Sequence, residues 1–189
     1  MKLSKILAPL LALCLFASTA CASTFIDAHG NEIQLDDSLE AYAAVTLVGA
    51  NDAARQGETN LGDLWTDALR WFAVSGEINA AFDEDDVKAG NDHIAVDADH
   101  VVALWNGGNL RADIAEGTFG AEALAEVLPF PNKVAVVYMS GAQLLEALEA
   151  ASQALPYTAE TADACASLMQ VSGLTYTVDT AKAYDALEA

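Results

Sequence analysis

Two kinds of apolar pattern alternate along this chain, and that alternation constrains the fold more than any other feature. Leu61, Leu64, Trp65, Ala68, Leu69 and Phe72 recur at helical spacing, with Asp63, Thr66, Asp67 and Arg70 on the other face. That period predicts an amphipathic helix with Asn60 as its N-cap. The period then gives way to continuous runs of strand formers. Val101–Trp105 reads as a buried strand ending in the turn Asn106-Gly107-Gly108, and Val134–Met139 as a second buried strand. Ala43–Val48 is a shorter apolar run of the same kind, and Leu174, Tyr176 and Val178 alternate with polar residues as in a half-exposed strand. Ala121–Leu128 is helical and stops at Pro129. Ser140 opens another helix with Gln143 at capping-box spacing and Leu144, Leu145 and Leu148 as its buried stripe. Phe25–Glu40 is polar and irregular, Ser75–Ala98 is turn-rich and acidic, and no internal repeat is present. Interleaved strands and helices at irregular spacing predict one layered α+β (mixed α/β) domain.

Composition sets the outer limits. With 53% hydrophobic and 19% charged residues, the 189-residue chain has enough apolar surface for a core and is no disordered polyelectrolyte. Eight basic residues against 28 acidic ones give a formal charge of −20. A general nucleic-acid binder needs a basic face to displace counterions, and an anionic membrane surface attracts basic segments, so the charge argues against both partners.

The N-terminus reads as a targeting segment. Lys2 and Lys5 precede the apolar run Ile6–Phe16, and small residues follow up to Ala20-Cys21-Ala22. This is a secretory signal with cleavage after Ala22, and the run is too short to span a bilayer. It implies a periplasmic or extracellular protein without a membrane span. The competing reading is a lipoprotein anchored at Cys21, whose signal would normally carry leucine where Ser18 stands. Cys14 and Cys21 lie in or beside this segment, which leaves Cys165 alone, so no disulfide framework is expected. Cys165 is expected to be half-buried and inert, because its neighbours Asp163, Ala164 and Ala166 offer no base or cation.

Beyond the signal the chain has three arginines. Arg70 lies on the polar helix face. Arg55 opens Arg-Gln-Gly-Glu-Thr-Asn-Leu-Gly (55–62), and Arg111 closes Asn-Gly-Gly-Asn-Leu-Arg (106–111). A guanidinium suits a carboxylate or phosphate, and the backbone of Gly107 and Gly108 can approach a ligand closely. The alternative is surface pairing of both arginines with the abundant aspartates. In Val127-Leu-Pro-Phe-Pro-Asn132 the two prolines push Leu128 and Phe130 out of helical conformation. Phe130 on a stiff segment could stack on a planar ring beside the Asn132 amide, or it could plug the core.

These strings, with Asp67-Ala-Leu-Arg70, Ser140-Gly141 and Leu168-Met-Gln-Val-Ser-Gly173, resemble the C-terminal domain of 5′-nucleotidases over residues 44–179. The resemblance divides the chain into a signal (1–22), an N-terminal extension (23–42) and a 5′-nucleotidase C-terminal-like domain (43–189). In that family a metal-bearing N-terminal domain hydrolyses the phosphoester and the C-terminal domain holds the nucleoside. The resemblance implies that Arg55 and Arg111 face phosphate or ribose and that Asn106, Gly107 and Gly108 line the same pocket. It has Phe130 stack on the base and Asn132 contact the base edge.

The departures shape the expected function. Asp27-Ala28-His29 and Gly90-Asn91-Asp92-His93 are only fragments of the family's metal motifs, so His29, His93 and His100 read as ordinary surface histidines. The chain ends at Ala189, before the segment that carries the family's second stacking aromatic, so the domain is expected to be incomplete at its C-terminal end. The expectation is a secreted nucleotide- or nucleoside-binding domain with no catalytic residues, metal or cofactor of its own; divalent metals would belong to the metallophosphoesterase domain. The alternative is that the chain supplies the substrate-binding half to a separately encoded catalytic domain.

Overall fold

A computed structural model describes residues 24–26, 32–34, 41–82, 84–90 and 93–184. The signal segment, Asp27-Ala28-His29, Asn91 and Asp92 lie outside them. Among the described residues, strands pair two by two in antiparallel ribbons: β1 (Thr24–Ile26) with β2 (Glu32–Gln34), β3 (Ala41–Ala43) with β5 (Gly117–Phe119), and β4 (Ala103–Asn106) with β6 (Met169–Ser172). The helices are α1 (Asn51–Ala54), α2 (Asn60–Val74), α3 (Glu84–Lys88), α4 (Ala121–Val127) and α5 (Gly141–Ser152). The mixed α+β reading holds.

The long helix α2 packs on the β4–β6 ribbon, where Trp105 stands opposite Gln170 and Ala103 opposite Ser172. Leu61 of α2 joins Ala43, Ala54, Leu110, Ile114 and Val127 in the core. Leu110 and Ile114 are completely enclosed, each contributing roughly 1.5–3 kcal/mol of hydrophobic stabilisation. Trp65 and Trp105 meet edge to face with centroids 5.4 Å apart, coupling α2 to β4.

Several local expectations shift. The N-cap of α2 is Thr59, whose Oγ1 accepts the Gly62 N–H at 3.1 Å. Asn60 is already helical, and its amide instead binds the backbone of Thr46 and Val48. Thr59 prevails because a buried side chain from β6 holds its N–H and hydroxyl in place. The polar face of α2 is only partly a solvent face. Thr66 is buried, with its hydroxyl donating to Gly62 O. Asp67 accepts from Ser172 Oγ at 2.5 Å. Arg70 donates to the carbonyls of Val101 and Ala98 at 2.9 and 2.6 Å, bracing the approach to β4.

The strand expected at Ala43–Val48 ends at Ala43; only Leu47 keeps a two-bond bridge, to Ile114. Val134–Met139, expected as a buried strand, joins no ladder and is largely exposed, because no described strand lies beside it. Leu174–Val178 likewise forms no ladder, although Leu174 and Tyr176 are half-buried between exposed threonines. The capping box at Ser140 and Gln143 is present, and Leu148 is buried, but Leu145 points to solvent. Cys165 is fully rather than half buried. No described helix is long and apolar enough to cross a membrane.

One carboxyl on α2 responds to pH. Burial, together with the neighbouring charges of Glu58 and Asp67 and a hydrogen bond to Glu58, pushes Asp63 up to about 6. Between pH 3.8, its ordinary value, and about 6, the folded chain holds a proton that the unfolded chain has released. The stabilisation from this group is therefore complete below its ordinary value and is lost as pH rises through about 6. Asp63→Asn should gain stability over the wild type as pH rises across that window, in urea unfolding at each pH. An unchanged difference between the two proteins would contradict this.

Candidate functional site

Four chain segments meet where α1, the end of β4 and the 164–167 turn pack together. The first carries Arg55. The lead into α1 is fixed by Asp113, whose Oδ1 accepts the N–H groups of Gly49 and Ala50, each at 2.8 Å. The loop after α1 is gripped by Gln170, which is only 1% exposed. Its Nε2 donates to Ala54 O at 3.1 Å and Gly57 O at 2.9 Å, and its Oε1 accepts from Thr59 N at 3.0 Å and Thr59 Oγ1 at 3.3 Å. One buried amide thus spans the loop that displays Arg55. The Arg55 guanidinium donates to Ala162 O at 2.9 Å and pairs with Asp163 at 3.5 Å, while its Nε is enclosed without a partner. The pairing with aspartate that the sequence left open is therefore present at Arg55.

The second segment is 106–111. Gly107–Asn109 forms a short 3-10 turn at the end of β4. A Cβ on Gly107 would stand 2.0 Å from Ala54 O, and one on Gly108 would stand 2.5 Å from the Ala166 Cβ. Both glycines admit close protein neighbours, α1 on one side and the 164–167 turn on the other. Asn106 donates to Ala166 O at 3.2 Å and accepts from Asn109 Nδ2 at 2.8 Å, so its amide knits the turn together. Arg111 is exposed. Its Nη1 donates to Gly108 O at 3.0 Å, and its backbone N–H to Val127 O at 2.9 Å. Among the described residues, no carboxylate lies within ion-pairing distance of it.

The third segment follows α4. Leu128 leaves the helix at φ −126°, ψ 68°, as its position before Pro129 dictates. Phe130 does not plug the core: 47% of it is exposed, and the Arg111 guanidinium lies 5.6 Å from its ring centroid. The Asn132 N–H donates to Phe130 O at 2.8 Å, closing a tight turn over Pro131. Asn132 is exposed beside the ring.

The structure therefore joins Arg111 to Phe130 directly and places Asn132 on the same turn. Arg55 and Asn106 both bind the fourth segment, 162–166. Gln170 and Asp113, which hold these pieces, escaped the sequence reading. The one signal for Gln170 was an uncharged amide flanked by apolar Met169 and Val171; Asp113 gave none in so acidic a chain. His93 and His100 are exposed, and His100 pairs with Asp97 at 2.7 Å. Among the described residues, no three His, Cys, Asp or Glu side chains are grouped as metal ligands would be.

A sequence profile described as 5′-nucleotidase, C-terminal domain, matches residues 20–186, reaching further toward the N-terminus than the resemblance over 44–179. The trifunctional nucleotide phosphoesterase protein YfkN of Bacillus subtilis (strain 168) is 29% identical over 125 residues, covering 66% of this chain and 7% of that protein. The crystal structure of a 5′-nucleotidase precursor from Thermus thermophilus superposes with a TM-score of 0.56 and 31% identity, covering 77% of this chain. The chain spans only 23% of that Thermus chain.

Proposed function

Because the chain belongs to the 5′-nucleotidase C-terminal domain family, we propose that it binds the nucleoside part of a nucleotide at the Arg111–Phe130 face. The observation that carries this reading is the half-exposed Phe130 ring beside an exposed guanidinium that no described carboxylate neutralises. A purine or pyrimidine stacks on the open part of the ring, and Asn132 hydrogen-bonds the base edge. Arg111 takes a phosphate oxygen. Arg55 faces the phosphate or ribose side, trading its contact with Asp163 for the ligand. Asn106, Gly107 and Gly108 form the floor, holding the turn from which Arg111 projects.

Charge works in two directions. The whole chain, at −20, repels an anion, but that field is screened beyond about 8 Å at physiological salt. Contact with Arg111 therefore wins once the ligand is seated, while association is slowed. With the guanidinium already against the ring, affinity should fall in the micromolar to millimolar range, about −8 to −4 kcal/mol. Calorimetric titration with AMP and adenosine tests this. Binding of both, with AMP tighter, supports the proposal; no heat from either at millimolar concentration overturns it.

Export belongs to the same reading, resting on the basic start, the apolar run and the Ala20-Cys21-Ala22 site. The intact mass of the exported protein should begin at Ser23. Acyl mass on Cys21 would replace this with a lipid-anchored form.

A further inference from the structure

The two arginines of the candidate site are in opposite electrostatic states. Arg111 is exposed, and no described carboxylate pairs with it. The Arg55 side chain is only 14% exposed, yet a carboxylate reaches it: Asp163 Oδ1 lies 3.5 Å from Nη1. That contact is loose. A charge-assisted hydrogen bond closes to about 2.7–2.9 Å. The Asp163 side chain is fully exposed, so water competes for it, and it caps nothing on the 164–167 turn that follows. Its backbone, by contrast, is held over α1. Tyr157 Oη donates to Asp52 Oδ1 at 2.8 Å, Thr161 Oγ1 donates to Pro156 O at 2.9 Å, and Arg55 Nη1 donates to Ala162 O at 2.9 Å. Asp163 is thus kept at Arg55 by its neighbours, while its carboxylate can turn into solvent without moving them. The guanidinium itself is poorly satisfied. It has five donors, one carbonyl partner among the described residues, and an enclosed Nε with no partner at all.

We infer that Asp163 is a built-in competitor for Arg55, a carboxylate that a ligand's phosphate displaces and a neutral ligand leaves in place. This rests on the nucleoside-binding reading above and adds how the same site separates charged from uncharged ligands. A phosphate monoester carries about −1.5 to −2 charges and three acceptor oxygens, so it meets more of the guanidinium than one loose carboxylate does. The displaced carboxylate loses little, because water already surrounds it. Ala162 O stays with the backbone and keeps the guanidinium aimed during the exchange.

Calorimetric titration of the wild type, Asp163→Asn and Glu160→Gln with AMP and adenosine tests this. Asp163→Asn should bind AMP about two- to fivefold tighter than the wild type, the equivalent of one exposed ion pair, and adenosine with unchanged affinity. Glu160→Gln removes the same charge from the same loop, but Glu160 binds Thr158 rather than Arg55, so its gain for AMP should be smaller. An AMP affinity unchanged in Asp163→Asn, raised equally in both variants, or raised together with that of adenosine would overturn the inference. Wild-type binding of both ligands in that experiment would leave the nucleoside reading standing. No binding of either ligand to any of the three proteins overturns that reading and the inference with it.

Discussion

Gln170→Leu should lower folding stability by about 3–5 kcal/mol, more than any substitution on the exposed Arg111–Phe130 face. Leucine keeps most of the volume but removes an amide that makes four hydrogen bonds while almost wholly buried. Ala54 O, Gly57 O and Thr59 N–H lose their partner. Each orphaned buried group costs about 1–3 kcal/mol. Gly57 O is partly reached by water, which restores some of its share. Gln170→Glu fares no better, because a carboxylate cannot donate to the Ala54 and Gly57 carbonyls. Nor can a bulkier partner fill in from α2, where a Cβ on Gly62 would stand 2.1 Å from Gln170 Oε1. Chemical unfolding monitored by tryptophan fluorescence measures the loss. A change below about 1 kcal/mol would mean that water replaces these bonds and that the amide does not hold the Arg55 loop.

Phe130→Ala and Arg111→Gln should weaken nucleotide binding in different ways. Loss of a base-stacking aromatic costs about 1–3 kcal/mol, roughly 5- to 150-fold in affinity. Since the base is common to both ligands, Phe130→Ala should weaken AMP and adenosine by the same factor. Arg111→Gln removes the charge that meets phosphate, so it should weaken AMP strongly and adenosine little. Both side chains are exposed, so neither change should affect stability by more than about 0.5 kcal/mol. Calorimetry on the two variants with the two ligands gives four affinities. Equal losses from both substitutions on both ligands would contradict the division of labour.

The layered α+β class and the three longer helices were legible because periodicity reports which face of an element is covered. The α5 capping box was legible because it is purely local, two side chains three residues apart. The edges of strands were not, because a ladder depends on a partner. Val134–Met139 has every residue a buried strand requires and forms none among the described residues. The face of α2 was misread for a related reason. Asp67, Thr66 and Arg70 are polar, and polarity suggests water, yet all three bind protein groups. For the candidate site, residue chemistry singled out Arg55, Arg111 and Phe130. It did not foresee that Gly107 and Gly108 would be occupied by protein packing. Nor could it find Gln170, whose role comes from a contact more than a hundred residues away in the chain.

The central claim is that the exposed Phe130–Arg111 face receives a nucleoside. Its most direct test is heteronuclear NMR of the labelled protein during titration with AMP and adenosine. Both ligands should shift the Phe130 ring and Asn132 side-chain amide resonances, and AMP alone should shift Arg111 Nε–H strongly. Saturating shifts confined to other parts of the chain, or none at millimolar ligand, would contradict the account.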